Sequence, residues 1–146
     1  MQFKTFFSLL IFVSVGLHAS EWNLISTSSD LEKKTYWYVK PASIVVESNL
    51  VKARLRTVWS TLQYGPSQIG YQSTTYLNFV DCKHRAIAFT GNTYFYDAES
   101  ITEPVHQEPE LPLSDLRFVL VRPGSSGELR VNYLCNSNSD SSNSLI

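Results

Sequence analysis

The chain has 146 residues, 43% of them hydrophobic and 17% charged, with a formal net charge of −1. That length accommodates one domain, and that balance excludes an intrinsically disordered chain. A net charge so close to zero lacks the basic excess that a polyanion demands, so no nucleic-acid partner is expected.

The first 19 residues read as a signal peptide rather than as part of the fold. Lys4 is the one charge ahead of an apolar run from Phe6 to Leu17, and Gly16-Leu17-His18-Ala19-Ser20 leads into polar Glu21. A basic start, a short apolar centre and a small residue at the break are the marks of secretion, with cleavage placed after Ala19. The alternative is an uncleaved anchor, but the run falls short of the ~20 residues of a comfortable span. No second apolar run follows, so no membrane span is expected after cleavage, and no Cys near the break offers a lipid attachment point. The expected location is therefore the periplasm, the cell surface or the extracellular medium.

The mature part is read as one domain, residues 20–135, followed by a disordered Ser/Asn-rich tail, 136–146. Aromatics form 13% of the chain, which favours strands. Residues 22–27 read as a first strand and Ser28-Ser29-Asp30 as a loop. Residues 35–39 form a second strand, ended by Pro41, which has no N–H for a ladder. Ser43 to Val46 begins a third, and Ser48-Asn49 turns the chain. From Val51 to Gln63 the pattern alternates. Val51, Ala53, Leu55, Thr57 and Trp59 point one way; Lys52, Arg54, Arg56 and Ser60 point the other. This is a half-buried antiparallel strand with one wet face.

Gly65 to Gly70 reads as a loop. Gln72 to Cys82 forms the next strand, with Tyr76, Val80 and Cys82 on one face and Leu77 and Phe79 on the other. Two apolar faces predict a central strand covered on both sides, with a loop or a second copy of the chain over Leu77 and Phe79; a homodimer is the expectation drawn from this. Residues 85–96 form a sixth strand, broken at Gly91-Asn92 by a bulge or bend. The stretch Thr102 to Pro112 is acidic and proline-broken and is read as irregular. Leu116 to Val121 is a short apolar segment before Pro123-Gly124.

The one helix candidate starts at Ser125-Ser126-Gly127-Glu128. It has the form of a capping box, with Ser125 as N-cap and Glu128 three residues on. The helix is expected to run to about Cys135, with a broad apolar side from Leu129, Val131, Tyr133 and Cys135 and a left-handed cap at Asn136. The fold class is thus α+β: an antiparallel sheet of about six strands with one C-terminal helix packed on it. An exported chain with two cysteines pairs them, here Cys82 with Cys135, which tethers the helix to the sheet. Two free thiols in a reducing compartment are the alternative.

Chemistry is sparse. His84 and His106 have no metal-site spacing, and His84 reads as a surface strand residue; no metal and no cofactor is expected. There is neither a phosphate loop nor a nucleophile elbow. Asp81, Asp97 and Glu99 offer carboxylates, but nothing in the sequence brings them together, and no catalytic residue is assigned. Lys52, Arg54 and Arg56 form a basic stripe that either meets an acidic partner or is simply the wet side of the sheet. The clusters Tyr36-Trp37-Tyr38 and Tyr94-Phe95-Tyr96 must each place part of their aromatic surface outward, where it serves binding or cross-strand packing.

Several of these segments, taken in order, resemble the surface-adhesin protein E-like family of Gram-negative bacteria. They are Trp22 at the start; Tyr36-Trp37-Tyr38-Val39 leading to Pro41-Ala42-Ser43-Ile44; Val58-Trp59-Ser60; Ser73 before Asp81-Cys82; Val121-Arg122-Pro123-Gly124-Ser125; and Leu134-Cys135. The resemblance spans nearly all of residues 22–135. It implies an antiparallel sheet with a C-terminal helix held by Cys82 and Cys135. It also implies a non-catalytic binding protein of the adhesin type, directed at host extracellular-matrix or plasma proteins and able to dimerise. The alternative is a soluble periplasmic protein of envelope maintenance that binds or inhibits an envelope component. The chain departs from the adhesin in lacking a lipid-anchoring Cys at the cleavage site, and no binding residues carry over.

Overall fold

The structure is a computed structural model and describes residues 21–30, 32–65 and 68–137. The expected signal peptide and nearly all of the expected tail lie outside the described residues. Six strands form the main sheet in the order β1-β2-β4-β5-β6-β7, all antiparallel: β1 Asn23–Asp30, β2 Lys33–Val39, β4 Leu50–Tyr64, β5 Gly70–Asp81, β6 Ala86–Phe95 and β7 His106–Gln107. Two short strands sit beside this path, β3 Val45–Glu47 on β4 and β8 Val119–Leu120 on β6. Helix α1, Ser126–Asn136, packs on one face.

The long strands β4 and β5 form the centre, and their alternation sorts two faces. On the helix face, Val51, Ala53 and Leu55 of β4, Val80 of β5 and Val39 of β2 are fully buried against Val131 and Leu134 of α1, with Tyr76 alongside. The expected inward set of β4 holds from Val51 to Thr57, and Trp59 is only half-buried. Beyond Val58 the β4–β5 register shifts, which ends the strict alternation. The break at Gly91-Asn92 is a bulge: both residues stand opposite Tyr76, between the pairs Leu77↔Thr90 and Thr75↔Thr93. Gly91 has φ +68°, and a Cβ there would collide with the Glu110 side chain, so glycine answers both constraints.

The second face carries Leu77 and Phe79, and the chain covers it itself. The segment after β6 folds back across the sheet and is pinned at several points. Ser73 Oγ donates to the Asp97 carbonyl (2.5 Å), Arg56 Nη1 to the Glu99 carbonyl (2.8 Å), and the Leu111 N–H to Thr90 Oγ1 (2.7 Å). Arg54 Nη2 pairs with Glu110 Oε1 at 2.8 Å. Leu113 reaches the edge of Phe79, which is 8% exposed. The chain's own loop is thus one of the two covers the sequence allowed for this face.

Several local expectations change. Ser28-Ser29-Asp30 is not a loop but continues β1, paired with Thr35, Lys34 and Lys33; an exposed edge strand tolerates polar side chains. Pro41–Ser43 is a 3₁₀ turn, so β3 begins later than expected. His106–Gln107 pairs with Tyr94 and Thr93 despite the flanking prolines, because the Val105 and Glu108 N–H groups bond the Tyr94 and Asn92 carbonyls. His84 lies in the β5–β6 turn rather than on a strand, its N–H and ring held by Asp81.

The helix begins with the first half of the capping box, Ser125 Oγ accepting from the Glu128 N–H. The Glu128 carboxylate reaches one residue further back than the box prescribes and accepts from the Gly124 N–H at 2.7 Å, the Ser125 N–H bonding the Arg122 carbonyl instead. Its buried seam is narrower than expected, with Gly127, Val131 and Leu134 inside and Leu129 half exposed. Asn136 is helical, not a left-handed cap. Ser137 ends the helix in right-handed geometry, donating its N–H to the Tyr133 carbonyl and its Oγ to the Tyr133 and Leu134 carbonyls. Cys135 is joined to Cys82, just past β5, with Cα atoms 5.8 Å apart. No helix among the described residues is long and apolar enough to cross a membrane.

Candidate functional site

Helix α1 has 11 residues and so spans about 16 Å, whereas the 15 residues of β4 extend about 50 Å. Because the disulfide holds α1 at the Cys82 end, it covers the half of its face that carries Val51, Ala53 and Leu55. The other half is left open as a cleft of about 320 Å³. Trp37 of β2, Trp59 of β4, Tyr71 and Tyr76 of β5, and Phe89 and Tyr94 of β6 form its walls. Thr35, Thr57, Thr74 and Asn92 line it between the rings, and Arg130 closes it from the helix side.

The rings support one another edge to face. Trp59 meets Tyr71 with centroids 5.5 Å apart, Tyr71 meets Tyr94 at 4.9 Å, and Tyr76 meets Phe89 at 5.9 Å. Such contacts hold aromatic walls in place. Thr57 Oγ1 and the Tyr76 hydroxyl share a hydrogen bond of 3.0 Å. The Arg130 guanidinium lies 5.5 Å from the centre of the Trp37 ring, a cation–π distance, and Nη1 donates to the Tyr76 hydroxyl at 3.4 Å. Burial raises the Tyr71 phenol above its ordinary range. Burial, with a hydrogen bond to Glu108, pushes Tyr94 up to about 12. Both phenols are therefore neutral at any physiological pH, and both line the cleft as hydroxyls.

The basic stripe lies on the opposite face. Arg54 is paired with Glu110. Arg56 is stacked between Trp22 at 5.0 Å and Tyr38 at 4.7 Å, with Nη1 on the Glu99 carbonyl. Desolvation lowers the Arg56 pKa, while Tyr38, Glu99 and Asp97 act the other way. Lys52 lines a smaller hollow of about 260 Å³ with Val45, Leu50, Phe79 and Leu113. Two of the three cations thus hold the covering loop and the N-terminal Trp22 in place.

The carboxylates do not assemble. Asp81 ends β5, beside His84, whose hydrogen bonds hold its pKa below the ordinary range. Asp97 is anchored at the other end of the same strand, through Ser73, about 27 Å away by strand rise. Burial pushes Asp97 up, but hydrogen bonds from the Thr102 hydroxyl and the Ile101 and Thr102 N–H groups more than offset it. Glu99 engages Arg56 through its backbone carbonyl. No group of three His, Cys, Asp or Glu able to hold a metal occurs among the described residues.

Of the aromatic clusters singled out in the sequence, Trp37 and Tyr94 reach the cleft. Trp59, Tyr71, Tyr76, Phe89 and Arg130 were not anticipated as site residues. Strand parity already placed Trp59 with the buried set; what was missing was that the helix stops short of it.

Comparison with known proteins agrees with this fold. A sequence model of the family described as surface-adhesin protein E matches residues 22–136. No curated protein matches the chain. Among solved structures, crystal form II of Haemophilus influenzae protein E is similar at a TM-score of 0.61 and 10% identity, covering 83% of this chain and 91% of that one. A second Haemophilus influenzae protein E structure has a TM-score of 0.59 at 10% identity, covering 84% and 89%. Protein E from non-typeable Haemophilus influenzae has 0.55 at 9% identity, covering 84% and 80%. At such identities the structures testify to the fold, whereas the sequence match extends over the whole described domain: the chain belongs to the surface-adhesin protein E family.

Proposed function

We propose that the protein is exported and acts as a non-catalytic binding protein of the adhesin type, holding its ligand in the aromatic cleft. Family membership supports the class, since adhesins are a non-enzyme kind of protein. The observation that carries the assignment to this site is the cleft itself: six aromatic walls left open on the face that the tethered helix covers only in part. Aromatic side chains with a polar edge are the usual anchors of binding surfaces. Host extracellular-matrix or plasma proteins are the ligands this reading favours. Lys52, Arg54 and Arg56 form a second proposed contact surface on the opposite face, where Lys52 is the member without an ion pair among the described residues.

The test is localisation followed by binding. Protease added to intact cells is expected to remove the protein, and the purified mature chain is expected to bind immobilised matrix proteins, with loss on Trp59→Ala. Protection until the outer membrane is breached would instead confine the protein to the periplasm and favour an envelope component as ligand. A Lys52→Glu variant, measured in parallel, tells the two faces apart.

A further inference from the structure

We propose that the cleft takes an acidic saccharide: one sugar ring against the aromatic walls, with its carboxylate on Arg130. This deepens the binding-cleft reading and rests on it, the saccharide being one carried by the host matrix or plasma protein.

Charge is the first argument. Arg130 is the one charged side chain lining the cleft, and no carboxylate lies within ion-pair distance of it among the described residues. Its Nε donates to the Ser126 carbonyl and its Nη1 to Tyr76. Nη2 has no partner among the described residues. A half-buried guanidinium stacked on Trp37 and lacking a counter-ion presents donors that match a carboxylate. Glu108, the nearest acidic group to the aromatic wall, is already committed to Asn92 and the Tyr94 hydroxyl and does not line the cleft.

Polarity is the second. The hydroxyls of Thr35, Thr74 and Tyr71 have no hydrogen-bond partner among the described residues. A purely apolar group seated over them would strip their water and return nothing, whereas the hydroxyls of a sugar replace it.

Size is the third. At about 320 Å³ the cleft stands at the low end of small-ligand pockets, which fits one ring rather than a helix or an extended peptide. Ring CH groups lie on aromatic faces while the hydroxyls meet the threonines between them, and that combination favours a saccharide over an acidic apolar peptide.

The experiment uses the full mature chain and its own tryptophans, since two of the three, Trp37 and Trp59, line the cleft. Fluorescence is titrated with glucuronic acid and N-acetylneuraminic acid, and with glucose and N-acetylglucosamine as neutral partners. At least one acidic sugar is expected to give a saturable change and to bind about tenfold more tightly than the neutral ones. Arg130→Gln is expected to erase that preference, and Arg130→Lys to restore part of it. Equal binding of acidic and neutral sugars overturns the proposal, as does the absence of any saturable response. A response to a short Asp/Phe peptide alone assigns the cleft to peptides and likewise overturns it. Matrix-protein binding by Trp59→Ala separates the two layers. Loss there with no sugar response defeats the saccharide and keeps the binding cleft; wild-type matrix binding defeats the binding cleft itself.

Discussion

Removing the disulfide is the perturbation whose magnitude follows most directly from the structure. Cys82 and Cys135 are 53 positions apart, and between them lie β6, the covering loop and almost all of α1. In the chain-entropy account, opening a loop of that length frees the unfolded state by about 14 cal/mol/K, or about 4 kcal/mol at 25 °C. A folded body of roughly 115 residues unfolds with an entropy of about 0.24 kcal/mol/K, so the loss corresponds to a fall in Tm of about 17 °C. The effect is also local. An 11-residue helix is marginal by itself, and without the bond α1 is held mainly by Val131 and Leu134. The double variant Cys82→Ser/Cys135→Ser, which leaves no odd thiol, is compared with the oxidised protein by circular dichroism on heating. Hydrogen exchange is expected to show the largest loss of protection in α1 and little change in β4. A Tm shift below about 5 °C, or protection lost evenly over sheet and helix, would refute the argument that the bond acts by closing this loop and tethering this helix.

Three other outcomes follow. Leu134→Ala removes a side chain with no exposed surface between helix and sheet and is expected to cost about 2–5 kcal/mol in urea unfolding. Gly91→Ala places a Cβ at φ +68° against Glu110, so a loss of about 1–2 kcal/mol is expected, together with weakening of the Arg54–Glu110 pair; an exchange-protected Leu111 N–H would report that the loop has stayed in place. Tyr94 has its pKa raised in the folded state, from the ordinary value near 10 to about 12. Between these values the unfolded chain releases a proton that the folded chain keeps. The stabilisation is therefore complete below pH 10 and lost as pH rises toward 12. Phenolate absorbance should show a late-titrating tyrosine that disappears in Tyr94→Phe, and a titration unchanged by that substitution would contradict the assignment.

Much of the fold was legible from residue order alone because its signals are local. Alternation from Val51 to Thr57 marks a half-buried strand, since side chains in a strand alternate between faces whatever the tertiary context. Ser125 and Glu128 announce a helix start because a capping box satisfies its own N–H groups within four residues. Two cysteines in a chain read as exported allow one intrachain pairing. Signals that depend on distant partners were read less well. Ser28-Ser29-Asp30 looks like a turn until Lys33 to Thr35 pairs with it, and the covering of Phe79 depends on a proline-broken loop returning from more than 30 residues downstream. The basic stripe reads as open charge because Glu110 and Trp22, which meet it, are remote in sequence.

What the amino-acid order determined by itself was six of the eight strands, the helix start, the partners of the disulfide and the family. What only the tertiary structure decided was the site. The cleft draws its walls from four strands and its one cation from the helix, and it is open because a helix of about 16 Å, pinned at one end by Cys135, cannot cover strands of about 50 Å. Neither length is a site by itself; the uncovered aromatic half of the sheet exists only as their difference.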